Sequence, residues 1–145
     1  MKQRVLIICT GNSCRSQMAE GLLRHMGKGE IDVESAGTHP SRVHPMAMKV
    51  MEEVGIDISH HTSKSVNVFD GQKFDYVITV CDHARAVCPI FPGARMLLHI
   101  PFEDPVSMYG DEEMRLEKFR SVRDTIRKRL EQFMVKEISL SLKYP

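Results

Sequence analysis

No apolar run in the chain approaches the roughly 18 to 20 residues that a membrane helix needs. Met1 to Ile8 is too short, and too quickly followed by polar residues, to serve as a signal peptide. Charge of one sign is lacking too: 20 Lys plus Arg against 19 Asp plus Glu leave a formal +1. That balance excludes bulk electrostatic attraction to nucleic acid or an acidic membrane and leaves room only for a local basic patch. Internal repeats, low-complexity stretches and linkers are absent, and 145 residues, 42% of them hydrophobic, suffice for one core but not two. The expectation is one domain over residues 1–145, cytoplasmic and monomeric, with no nucleic-acid or membrane partner. Four cysteines in such a chain are not a structural disulfide framework, because thiols in that compartment stay reduced unless a disulfide is transient, catalytic or sensory.

What is present alternates between strand and helix patterns. Val5 to Ile8 is a β-branched and Leu run ending at Cys9, as suits a strand buried on both faces of a parallel sheet. A turn cluster follows, Thr10-Gly11-Asn12-Ser13. From Ser16 the residues Met18, Ala19, Leu22, Leu23 and Met26 recur at helical spacing up to Gly27, with Gly29 beyond, which predicts a helix ended by glycine. Ile31 to Ala36 reads as a second strand, and Pro45 to Val54 as a second helix presenting Met48, Met51 and Val54 on one face. Phe74 to Val80 is a third strand that again runs into a cysteine, Cys81, and Arg95 to Ile100 a fourth. Glu112 to Phe133 is a long amphipathic helix with Leu116, Phe119, Val122, Ile126, Leu130 and Phe133 on its apolar stripe. This order predicts an α/β fold, a four-stranded parallel sheet with helices on both faces. Ile138 to Leu142 fits either a short edge strand or a loose tail over 138–145.

In open α/β sheets sites form at the carboxyl ends of strands, so two strands finishing on cysteine aim both sulfurs at the expected site. Between a buried strand and a helix, the segment Cys9-Thr10-Gly11-Asn12-Ser13-Cys14-Arg15-Ser16 can turn successive N–H groups inward as an anion nest, reinforced by the helix dipole. Such a nest holds a tetrahedral oxyanion and favours the thiolate of a cysteine at its base. Cys9 is therefore the candidate nucleophile. Arg15 can fold over and grip two oxygens in a bidentate fork that lysine could not reproduce. The plainer alternative is a cysteine that merely packs and an arginine that is solvated. Attack on an oxyanion centre also needs a proton donor, and Asp104, stiffened by Pro105, is the candidate general acid, with Glu103 the nearest competing carboxylate. An Asp-Pro turn with no chemistry is the alternative there.

Cys81 and Cys88 lie seven residues apart, about 10.5 Å along a helix at 1.5 Å per residue, whereas a disulfide needs Cα atoms within roughly 7 Å. Joining them requires that segment to unwind, and Pro89 already biases Cys88 away from helix. Two small core cysteines, or a zinc set with His83 whose spacing matches no common ligand pair, are the alternatives. Of the seven histidines, His60 and His61 included, all read as surface or loop residues, with His83 the one most placed to matter.

The segment from Cys9 to Gly21, with Asp104-Pro105 and the Cys81/Cys88 pair, resembles the thioredoxin-coupled arsenate reductases, a family that shares its fold with the low-molecular-weight protein tyrosine phosphatases. The likeness runs to the last long helix, and the two cysteines choose the reductase branch. It implies that Cys9 attacks arsenate held by Thr10, Gly11, Asn12, Ser13, Cys14, Arg15 and Ser16, while Asp104 protonates the leaving oxygen. It further implies a Cys9–Cys81 disulfide passed on as Cys81–Cys88 and reduced by thioredoxin, with no bound cofactor. Phosphate or sulfate would occupy the same loop. Some members bind potassium at positions matching Asn12, Glu20 and Ser35, but the carboxylate expected near Ser63 is Lys64, whose ammonium can replace the ion, and no metal is expected. The alternative is a phosphatase working through a Cys9 phosphoenzyme with Asp104 as acid, although Val106 and Ser107 stand where phosphatases place aromatics after Asp-Pro. A third possibility is a redox-sensing or partner-binding protein that keeps the loop as an anion site without turnover.

Overall fold

The computed structural model describes residues 2–81 and 91–139. Four parallel strands, β1 (Gln3–Cys9), β2 (Ile31–Gly37), β3 (Phe74–Thr79) and β4 (Ala94–His99), lie in the order β2-β1-β3-β4. β1 is central because Val5, Leu6, Ile7 and Ile8 are all apolar and fully buried, so both faces of that strand must be covered. Ile8 pairs with Ala36 on one side and Thr79 on the other, so the strands following β1 in the chain depart in opposite directions from it. That reversal is a topological switch point, and it opens a crevice beyond the carboxyl ends of β1 and β3.

On one face Val5 and Ile7 pack with α1 (Arg15–Gly27), α2 (Pro45–Glu52) and α3 (Glu112–Phe133). On the other, Leu6 and Ile8 meet Phe69 of a 3-10 turn (Val66–Phe69), Phe74, Val77 and Phe91. The stripe foreseen on α3 is buried at all six positions, each contributing on the order of 1.5–3 kcal/mol by leaving water.

Local departures from expectation have physical causes. α1 ends not on a left-handed glycine but on Lys28 (φ 50°), with Gly29 following at φ 82°. Gly27 is needed instead for close packing, since a Cβ there would come within 2.9 Å of the Ile31 side chain. α2 starts on Pro45, capped by the His44 ring, and stops at Glu52 rather than Val54. It buries Ala47, Val50 and Met51, with Met48 half-buried against the core, while Val54 lies beyond the helix end. β3 ends at Thr79, and Cys81 lies two residues past it. A π-helical turn, Met134–Ser139, continues α3 and buries Ile138, which rules out an edge strand or loose tail at that residue. Residues 140–145 lie outside the described part, as do His83 and Cys88.

Candidate active site

β1 delivers Cys9 to the crevice, and the next residues form a loop whose carbonyls all face outward. Thr38 N–H donates to Cys9 O (3.2 Å), His39 N–H to Thr10 O (2.9 Å) and Ser41 N–H to Gly11 O (3.1 Å). Gln17 Nε2 donates to Asn12 O (3.1 Å), His44 N–H to Ser13 O (3.1 Å) and Met18 N–H to Cys14 O (2.9 Å). In a trans peptide the N–H points opposite to the C=O, so six outward carbonyls turn the N–H groups of residues 10 to 15 toward a common centre. Among the described residues, no backbone acceptor takes the N–H groups of Gly11 to Cys14. The start of α1 adds to this positive end: its N-cap, Cys14, makes no side-chain cap, and no acidic residue sits in the first turn.

The tight curl rests on two residues. Asn12, not Gly11, takes the left-handed backbone (φ 47°), a conformation that short polar side chains tolerate best after glycine. Gly37, at the end of β2, lies so close that a Cβ would stand 2.4 Å from Thr10 O and 3.0 Å from Asn12 N.

Cys9, Cys14 and Cys81 are free, buried thiols. The Cys9 sulfur lies where the Cys81 thiol and the Thr10 N–H both act on it. Cys81 and burial push the Cys9 thiol up, while the Arg15 guanidinium and the Thr10 amide pull it down. Thr10 Oγ1 lies 3.5 Å from Cys81 Sγ, which ties the second cysteine to the loop. Cys14, pushed up to about 12 mainly by burial, is a poor nucleophile.

Arg15 is nearly buried: Nη1 donates to Phe102 O (3.1 Å) and Nη2 lies 3.9 Å from Asp104 Oδ2. Asp104 is 43% exposed and caps a 3-10 turn (Pro105–Ser107) by accepting the Val106 N–H on Oδ1 (3.0 Å). It therefore serves as the Asp-Pro turn former while facing the site's arginine. Glu103 is held elsewhere by Lys118, 2.6 Å away. Cys9, Cys81, Arg15 and Asp104 are thus gathered at one place.

Several contributors had no signature in the sequence. Thr38, His39, Ser41 and His44 act through their backbone N–H, Ser63 Oγ donates to Gly11 O (3.0 Å), and Gln17 holds Asn12. Most of these contacts join residues 22 or more positions apart, where no periodicity reports. His61, expected on the surface or in a loop, lies in a loop but has a side chain only 3% exposed.

The cluster matching the potassium positions does not fit a metal ion. Glu20 Oε2 already meets Arg24 Nη2 at 2.8 Å, and its Oε1 takes the Ser35 hydroxyl. Lys64 does not fill the ion's place, because its ammonium donates to Thr62 O and lies 3.8 Å from Glu34.

A model of the low molecular weight phosphotyrosine protein phosphatase family matches residues 4–143. The chain is similar to an arsenate reductase of Halalkalibacterium halodurans, 46% identical over 132 residues that cover 91% of this chain and 95% of the relative. A glutaredoxin arsenate reductase of Synechocystis is 40% identical, with 92% and 98% covered. Among solved structures, an arsenate reductase in the phosphate-binding state superposes with a TM-score of 0.80 at 40% identity, covering 92% of this chain and 98% of the other. A loop at the switch point with its carbonyls bonded outward, a thiol at its base and a match along nearly the whole length place the chain in the low molecular weight phosphotyrosine protein phosphatase family.

Proposed function

We propose that the chain reduces arsenate to arsenite through a cysteine relay. The observation that carries this reading is the second buried thiol, Cys81, set against the loop of the nucleophile with its sulfur 3.5 Å from Thr10 Oγ1. A phosphatase needs only one cysteine, because water resolves its covalent intermediate.

Arsenate sits on the N–H groups of residues 10 to 15, with Arg15 across its oxygens. Cys9 attacks arsenic and forms an S–As bond; Asp104 protonates the departing oxygen, which leaves as water. Cys81 then attacks the Cys9 sulfur. As the S–S bond forms, the S–As pair stays on arsenic, which falls from As(V) to As(III) and leaves as arsenite. Cys88 attacks Cys81 in turn, freeing Cys9 and carrying the oxidation to a Cys81–Cys88 disulfide that an external dithiol reduces. Thioredoxin is the proposed reductant, and the cytoplasm, where such dithiols are kept reduced, the proposed compartment. The relative named for glutaredoxin supports testing that protein alongside.

Arsenate-dependent NADPH consumption with thioredoxin and thioredoxin reductase, compared between the native chain and Cys88→Ser, tests the relay. Turnover is expected in the native chain and lost in the variant, while hydrolysis of p-nitrophenyl phosphate persists in both. Equal ester hydrolysis with no arsenate turnover under either reductant would instead favour the phosphatase reading, in which Asp104, facing Arg15, protonates the leaving group of a Cys9 phosphoenzyme.

A further inference from the structure

Two strips form the rim of the nest. On one side residues 38–44 run alongside the loop: Ser41 N–H donates to Gly11 O (3.1 Å) and His44 N–H to Ser13 O (3.1 Å). Arg42 is therefore held between two fixed points just outside the nest. On the other side α3 passes the loop of Asp104, with Lys118 reaching Glu103, and its Phe119 ring meets the His44 ring at 5.0 Å. Arg115 stands one turn before Phe119 on the same face of that helix.

His44 joins the strips. It caps α2 through Nδ1, which accepts the Met46 N–H (3.1 Å), while Arg115, Arg42 and Asp104 all act on its ring. Burial and the two arginines, against the pull of Asp104, hold the imidazole below its ordinary value. The ring is thus neutral at about pH 7, and the positive charge at this part of the rim is that of the arginines.

That charge is not neutralised from within. The next two arginines of α3 are: Arg120 meets Glu53, Glu113 and Glu117, and Arg123 meets Glu53 and Asp124. Among the described residues, no hydrogen bond or ion pair engages the guanidinium of Arg42 or Arg115. The acids nearest Arg115 in the chain turn elsewhere: Asp111 accepts the Met114 N–H (2.9 Å), Glu112 lies 3.8 Å from Lys49, and Glu117 holds Arg120. Asp104 is the one carboxylate acting on His44.

We propose that Arg42 and Arg115 form a second anion subsite at the mouth of the nest, on the side of Asp104, for a carboxylate carried by the group that departs from the oxyanion centre. The proposal rests on the reading of the loop as an oxyanion site. Asp104 marks this side, because its proton goes to the departing oxygen. Arsenate reduction releases only water there, so the subsite serves a further class of substrate, phosphate esters whose leaving group bears a carboxylate. Such an ester is anchored at both ends, by the N–H groups of the nest and by the guanidiniums, whereas one with a neutral leaving group is held by the nest alone.

The probes are 4-carboxybenzylphosphonate and its 4-carbamoyl analogue. They share one shape, differ in the charge at the far end and, having a C–P bond in place of the ester oxygen, are not hydrolysed. Calorimetric titration of the native chain at about pH 8 is expected to show the carboxylate bound about fivefold more tightly than the amide, as an exposed ion pair allows. High salt should shrink that ratio. In the double variant Arg42→Gln, Arg115→Gln the ratio is expected to fall to about one. The ratio is the readout, because the loss of two positive charges weakens every anion alike. Neither guanidinium holds another part of the fold, so urea melts of the variant should match the native chain. Equal affinities in the native chain, a ratio that survives in the double variant, or sulfate binding with neither phosphonate bound overturns the proposal. No binding of sulfate, titrated alongside, overturns the oxyanion reading instead.

Discussion

The two loops that meet at the site are built on opposite plans. The loop from Cys9 to Arg15 has every carbonyl from residue 9 to 14 bonded outward, and its pivot, Asn12, is fully buried. The loop after β4, carrying Asp104, is pinned at its base by the Arg15 bond to Phe102 O and by buried Pro105, but Asp104 is 43% exposed and Tyr109 is 91% exposed. Groups that hold charge in a transition state work best when they need not reorganise, and the first loop meets that demand. A group that delivers a proton must recover it from solvent each cycle, which the second loop allows.

Breaking the two plans separately has different signatures. Asp104→Asn is expected to lower the rate of ester hydrolysis by on the order of 10²–10⁴-fold, the usual share of a general acid. Sulfate affinity should hold or tighten, because a carboxylate near Arg15 is removed. Stopped-flow hydrolysis and calorimetry on the same preparation check both halves. A parallel loss of affinity would mean that the exposed loop is part of the nest.

Gly37→Ala attacks the other plan. A methyl 2.4 Å from Thr10 O forces backbone to move where nothing is flexible, so a loss of about 1–3 kcal/mol in stability is expected, with weaker sulfate binding. Urea melts with and without sulfate measure both. An unchanged midpoint and affinity would show that the loop is less rigid than its hydrogen bonds imply.

The same contrast explains what could be read in advance. β1, β3 and α3 were legible because Val5–Ile8, Phe74–Thr79 and the stripe from Leu116 to Phe133 carry their periodicity locally. That Cys9, Arg15 and Asp104 meet at one place was legible because a strand-end cysteine, an arginine opening a helix and an Asp-Pro pair each have a distinctive local setting. The bonds that hold Asn12 were not. They join the loop to α1, β2 and Lys64 through partners up to 52 residues apart, and two adjacent histidines look the same whether one is buried or neither is. The buried face of α2 was legible in part: Met51 is buried and Met48 packs against the core, whereas Ala47 and Val50, too small or too ordinary to mark a face, complete it.

The smallest effect concerns Cys9 itself, which belongs to the rigid loop yet depends on a residue outside it. Cys81 is the largest influence raising the Cys9 thiol, ahead of burial, while Arg15 and Thr10 lower it. Removing the second sulfur in Cys81→Ala leaves Arg15 and the Thr10 amide in place, so the Cys9 thiolate becomes easier to form. The rate of Cys9 alkylation by iodoacetamide, followed by peptide mass against pH, is expected to shift to lower pH in Cys81→Ala. Cys14→Ala, which leaves Cys81, Arg15 and the Thr10 amide in place, is expected to shift it less. A shift to higher pH would mean that Cys81 activates the nucleophile rather than holding it back. In the expected case, the sulfur that raises the Cys9 thiol is also the one that lies against the loop, where it can resolve the bond that Cys9 forms.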